Sequence, residues 1–172
     1  KRLYYIVMWK IYKFGGTSIT KNGFNLIKKI IQNRNYKIVI DLSAINQVTD
    51  LLYKLCQNYD KNIFDQLKKI HQDLMNQLKL NNQVIILNKL SDLKNLLVSK
   101  KYETEEIVSY GEILSTLILH HYLKQDTYLI DSKKVIKQNE NSFHGVLDNF
   151  QEEVLHHEVI IMQGFIASDL NN

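Results

Sequence analysis

The chain has no proline and a single cysteine, Cys56, among 172 residues. One thiol excludes a disulfide framework and a cysteine-built zinc site, and it fits a reducing compartment. Long apolar runs are missing too. Runs such as Tyr4 to Trp9 and Leu117 to Leu119 fall far short of the ~20 residues a membrane-spanning helix needs. Lys1-Arg2 before Leu3 to Trp9 has the outline of a signal peptide but lacks a small-residue cleavage site. The reading is a soluble, cytoplasmic chain with no membrane partner. What remains is ordinary globular stock: 45% hydrophobic, 10% aromatic and 23% charged residues. That is enough for one domain with a core of its own.

Charge of one sign is in slight excess, 22 basic residues against 18 acids, net +4, with an isoelectric point near 9.0. The basic residues are scattered rather than gathered into a stripe. Lysine, isoleucine and asparagine number 20, 21 and 17, about a third of the chain, so compositional skew explains the high isoelectric point. It does not create a phosphate-binding face, and a nucleic-acid partner is set aside. Residues 1–7 precede Met8 and read as an extension. The end at Asp169-Leu170-Asn171-Asn172 follows an apolar strand closely and reads as a cut.

Alternation over Trp9 to Phe14 predicts a strand running into a glycine turn. Helical spacing of Phe24, Ile27, Ile30 and Ile31 predicts a helix over Gly23 to Asn33, capped by Asn22. Tyr36 to Leu42 reads as a buried strand, and Thr49 or Asp50 as the start of a helix reaching Tyr59. A long amphipathic helix over Asp60 to Leu80 and a weaker one over Val84 to Leu97 follow. Next come a helix over Tyr102 to Leu123, a strand over Thr127 to Ile130 and a short one over Lys134 to Ile136. A helix over Asp148 to His157 and a last strand over Val159 to Met162, left as an exposed apolar edge, complete the pattern. Strand–helix alternation predicts an α/β fold with a mainly parallel sheet and a helical insertion around residues 50–100.

Four segments carry the chemistry. Lys13-Phe14-Gly15-Gly16-Thr17-Ser18 puts an ammonium at a strand's carboxyl end, beside glycines and hydroxyls that suit phosphate oxygens. A glycine turn with a solvated lysine fits it equally well. It is not a Walker A loop, because the lysine precedes the glycines. Asp41 to Asp50 is a second strand end. Ser43 and Thr49 flank a loop that suits an anion, though capping by Thr49 is the simpler role. Ser109-Tyr110-Gly111-Glu112 places a glycine and an acid inside an apolar helix, where neither is favoured. Gln163-Gly164-Phe165-Ile166-Ala167-Ser168 is another strand-end turn. The adjacent pairs His120-His121 and His156-His157 split across helix faces and make poor chelates, so no metal ligands are assigned.

Taken in order, these segments resemble the aspartokinases of the amino-acid kinase family. KFGGTS at residues 13–18 is similar to their opening signature. Ser43-Ala44 with Val48-Thr49-Asp50-Leu51-Leu52 resembles their serine-to-threonine loop, with Ile45-Asn46-Gln47 where many members place glycine. Ser109 to Ser115 is similar to their Gly-Glu helix, and Leu129-Ile130-Asp131-Ser132 and Gln163 to Ser168 to their later strand ends. The resemblance implies an αβα sandwich, incomplete at its carboxyl end. Residues 8–172 would be the amino-terminal part of the kinase domain, with a faint lean to bifunctional aspartokinase–homoserine dehydrogenases. It implies phosphoryl transfer from Mg-ATP to the side-chain carboxylate of L-aspartate, the first step towards lysine, threonine and methionine.

The residue roles come with the resemblance. Lys13 would touch the transferring phosphoryl group as the catalytic residue, and Lys13, Phe14, Gly15, Gly16 and Ser18 would hold the ATP phosphates. Ser43, Thr49, Glu112 and Phe165 would bind aspartate, Glu112 through its ammonium. Mg2+ would ride on ATP, and the full-length protein would be a homo-oligomer. No Gly-Arg-Gly-Gly-Ser-Asp loop occurs in the chain, so the 172 residues alone are expected to be inactive. The competing expectation is a half-kinase that binds aspartate or a partner without catalysis.

Overall fold

The computed structural model describes residues 8–124, 127–139, 142–145 and 156–169. Strand β1 (Trp9–Phe14) leads through a short 3-10 turn at Gly16–Ser18 into helix α1 (Lys21–Gln32). Strand β2 (Lys37–Leu42) then feeds four helices in succession. These are α2 (Val48–Gln57), α3 (Lys61–Gln77), α4 (Val84–Ser99) and α5 (Thr104–Leu123). Strand β3 (Tyr128–Leu129), the single turn α6 (Ser132–Val135), and strands β4 (Ile136–Asn139) and β5 (Ser142–Gly145) follow. Strands β6 (Val159–Gln163) and β7 (Ser168–Asp169) come last.

The main sheet has the order β1-β2-β6-β3, and every pairing in it is parallel. A parallel sheet needs cover, and its strands read as continuous apolar runs for that reason. Ile38, Ile40 and Leu42 of β2, with Val159 and Ile161 of β6, join the large core filled by α1 to α5. Val39 and Ile160 point to the opposite face, where they meet Ile130 and Val135. The expected α/β fold with surrounding helices is what forms, and α2 to α4 make up the helical insertion. Lysine-bearing β1 lies at the sheet edge with Lys10 and Lys13 exposed, a common way to protect an unpaired strand.

Several local expectations are corrected. The cap of α1 is Thr20, whose hydroxyl accepts the Gly23 N–H at 3.1 Å, while Asn22 lies inside the first turn. The short strand expected from Lys134 gives way to α6 before β4 begins. There the Asp131 carboxylate accepts the Lys133 N–H at 3.0 Å and closes a helical turn. Strand β6 is interior, between β2 and β3, so Val159 to Met162 is no exposed edge. The β4–β5 antiparallel pair and β7 beside β4 were not anticipated. The helix expected over Asp148 to His157 falls largely outside the described residues.

Candidate active site

Strand ends β1, β2 and β6 open on the same edge of a parallel sheet, where α/β folds present ligands. The loops after β1 and β2 are fastened together there. Ser43 N–H donates to the Phe14 carbonyl at 3.0 Å, and Asn46 N–H to the Gly16 carbonyl at 3.2 Å. A Cβ on Gly16 would lie 2.8 Å from the Ala44 oxygen, whereas one on Gly15 would meet nothing within 4 Å. Gly16 therefore serves protein packing, and the side of Gly15 stays open.

The β2–α2 loop turns through Gln47 at φ 72°, a left-handed conformation that side chains avoid. That residue, rather than Thr49, enters the helix as its cap. Thr49 sits in the first turn of α2, and capping is not the role of its hydroxyl.

Helix α5 crosses this loop at Gly111. A Cβ on Gly111 would fall 2.6 Å from Ala44 Cβ and 3.4 Å from Val48 and Leu52. The close approach lets Glu112 reach the loop, where its Oε1 accepts the Ala44 N–H at 3.2 Å. One helical turn on, the Ser115 hydroxyl donates to the Ser43 carbonyl at 2.8 Å. Glu112 is only 7% exposed. Burial pushes its carboxyl pKa up, opposed by the Ala44 N–H and the Lys13 charge. Gly111→Ala should reverse the usual helix gain of about 1 kcal/mol and cost about 1–3 kcal/mol through overpacking. Chemical denaturation of both proteins checks the sign.

Lys13 and Asp41 are directly opposite in the β1–β2 register, and their side chains pair at 3.2 Å. The turn after β6 closes over this pair. Gly164 N–H donates to the Leu42 carbonyl at 2.8 Å, and Phe165 follows at φ 58°, 86% exposed. The Lys13 ammonium lies 4.2 Å from the centre of the Phe165 ring, in cation–π range.

A cavity of about 830 Å³ occupies this edge, with Gly16, Ser43, Thr49, Glu112 and Phe165 on its walls. Lys13 sits at its margin through Phe165. Phe14, Gly15 and Ser18 are not among the lining residues. Phe14 packs its ring against the core, and the Ser18 N–H closes the turn on the Gly15 carbonyl at 2.8 Å. Sequence reasoning missed Lys133, a cation on the cavity wall, and the acids Glu103, Glu105 and Glu106 on the same wall. Lys133 is pinned through its backbone, since its carbonyl accepts the Ser168 hydroxyl at 2.7 Å. The Asp131-Ser132 strand end was the available signal.

A lysine, a glycine turn and a buried carboxylate thus gather at the carboxyl edge of a parallel sheet. The amino acid kinase family model matches residues 8–172, and the chain belongs to that family. It is 25% identical over 198 aligned positions to the chloroplastic bifunctional aspartokinase/homoserine dehydrogenase 2 of Arabidopsis thaliana, covering 96% of this chain and 22% of that protein. The structure of the Clostridium acetobutylicum aspartate kinase matches with a TM-score of 0.80 and 26% identity, over 94% of this chain and 40% of that one. Escherichia coli aspartokinase III, solved with aspartate and ADP, shares the fold with a TM-score of 0.76 at 22% identity, over 94% and 42%. This chain thus spans less than half the length of each. Among the described residues no helix is long and apolar enough to cross a membrane.

Proposed function

We propose that residues 8–172 supply the aspartate-binding and phosphate-facing part of an aspartate kinase site. One observation carries the reading: Ser43, Thr49, Glu112 and Phe165 share one cavity wall, with Lys13 at its margin. The aspartate side-chain carboxylate is ionised at neutral pH and needs no base. One of its oxygens attacks the γ-phosphorus of Mg-ATP, the bond to the bridging oxygen breaks, and ADP leaves with that electron pair. The product is 4-phospho-L-aspartate. Such transfer relies on positioning and positive charge. Lys13 offers its ammonium to the moving phosphoryl group, and the open side of Gly15 admits the phosphates. Glu112 takes the substrate ammonium on the carboxylate oxygen that Ala44 leaves free. Thr49 and Ser43 offer hydroxyls, and Phe165 covers the aspartate. The nearby acids suit a cationic ammonium, and an ammonium there favours ionised Glu112.

Calorimetric titration of the chain with aspartate should show binding that Thr49→Ala weakens about tenfold, the worth of a hydrogen bond to a charged group. No binding by the unaltered chain would sink the reading. In an ADP-release assay, the 172-residue polypeptide should show little aspartate-dependent turnover, because positioning of the γ-phosphate needs a nucleotide-binding half. The product of the full reading frame should turn over. Clear turnover by the shorter polypeptide would contradict the half-site assignment. Binding without turnover by the longer one would leave an aspartate-binding module.

A further inference from the structure

A buried carboxylate oxygen without a partner is costly, and a protein retains one only where something offsets it. Among the described residues, Asp41 Oδ1 is such an atom. Its other oxygen, Oδ2, holds the Lys13 ammonium at 3.2 Å, and the Asp41 side chain is 21% exposed against 48% for Lys13. The pair is not a surface accident. Residues 13 and 41 face each other across neighbouring parallel strands, so the backbone of the sheet sets their separation.

Gly164 closes the arrangement from above. A Cβ there would stand 2.5 Å from Asp41 Oδ1 and 3.1 Å from Lys13 Nζ. The space of one methyl group is therefore taken up by the pair itself. On the cavity side, the Phe165 ring lies against the same ammonium. Lysine has a flexible four-carbon stem and three donors. One donor is committed to Asp41, the ring limits the swing of the head, and two donors remain for a ligand.

We propose that Asp41 is a positioning residue for the phosphoryl transfer, one that with Gly164 clamps the Lys13 ammonium at the cavity margin. This inference rests on the aspartate kinase reading for its consequence, though not for its geometry. Asp41 does not touch substrate. It acts by holding Lys13 where the transferring group arrives, and misplacement by about an ångström costs such a step up to about a hundredfold.

The test uses the product of the full reading frame, with Asp41→Asn, Asp41→Glu and Gly164→Ala. Asp41→Asn should lower kcat about tenfold to a hundredfold and leave the aspartate KM within about twofold. Gly164→Ala, which wedges the pair without changing charge, should reproduce that split. If it does not fold, Asp41→Glu takes its place: it keeps the charge one methylene further out and should fail to restore kcat. A kcat within twofold of the unaltered protein in Asp41→Asn would overturn the proposal. So would equal losses in kcat and KM that track a fall in Tm.

A second arm needs no chemistry. The Lys13 ammonium, assigned by its loss in Lys13→Arg, should give a slowly exchanging signal in nitrogen-15 NMR that Asp41→Asn abolishes. Its survival in Asp41→Asn would overturn the clamp. No aspartate-dependent ADP release from the unaltered protein would instead overturn the kinase reading, and the ammonium signal would then decide the clamp by itself.

Discussion

Lys13→Ala should lower kcat by about a hundredfold to a thousandfold, the scale for removing one preorganised charge donor, while the aspartate KM stays within about threefold. The ammonium sits at the margin of the cavity and not on its wall, so a ground-state aspartate gains little from it. The transferring phosphoryl group, arriving at the open side of Gly15, gains most as charge redistributes in the transition state. Glu112→Ala should show the opposite pattern, because its carboxylate lies on the cavity wall beside the Ala44 N–H. Loss of a charged partner for the substrate ammonium raises the aspartate KM about tenfold to a hundredfold. Steady-state kinetics on the product of the full reading frame separates the two. Lys13→Arg and thermal melts control for the half-buried Asp41 that Lys13→Ala leaves unpaired. Matching KM effects from both alanine variants would refute the division of roles.

How far the site could be read ahead of the fold depends on which contacts are local. The glycine turn after β1 and the odd Gly111-Glu112 pair inside α5 are departures from what a plain turn or helix would choose, so they stand out along the chain. The Asp41 carboxylate does not. Its partner Lys13 is 28 residues away, and only the β1–β2 register brings the two together. The same holds for Lys133, placed on the cavity wall by a Ser168 hydroxyl 35 residues later. Errors in the elements have the same origin. Lys134 to Ile136 reads as a strand from its composition, where the helical turn α6 stands instead. The Ser132 N–H, however, donates to the Gln163 side chain at 2.9 Å, and its hydroxyl to the Gln163 carbonyl at 2.7 Å. Tertiary bonds to β6 thus hold a helical turn that four residues could not sustain by propensity. At Gln47 the fold overrides local preference outright, since a residue with a full side chain stands at φ 72° where the loop turns into α2. The interior place of β6 was hidden for a simpler reason. A buried central strand and an apolar edge strand are both short β-branched runs, and only pairing tells them apart.

The helical insertion holds a titration that should dominate acid stability. His71 lies within α3 and is fully buried. Its Nδ1–H donates to the Leu67 carbonyl at 2.8 Å, which leaves Nε2 as the unprotonated atom. That Nε2 is buried without a hydrogen-bond partner. Burial pulls the His71 pKa down to about 4 from 6.5, against a smaller upward pull from the Leu67 carbonyl. Above pH 6.5 the ring is neutral in folded and unfolded chains and stability is unaffected. As pH falls below 6.5 the unfolded chain takes up a proton that the folded chain resists, so stability drops until about pH 4. Below that pH both forms are protonated and the loss is complete. At about 1.4 kcal/mol per pH unit of separation, the full loss is about 3 kcal/mol, and most of it is reached by pH 4.5. For a chain of this size that is roughly 5–10 °C in Tm. His71→Leu removes the titrating ring and the orphaned nitrogen together, so it should cost little at pH 7.5. Melts at pH 7.5 and 4.5 should then show a fall in Tm for the unaltered chain that is larger by that amount than the fall for the variant. Equal falls in the two proteins would mean that His71 is protonated in the folded state after all, and that the insertion opens around it.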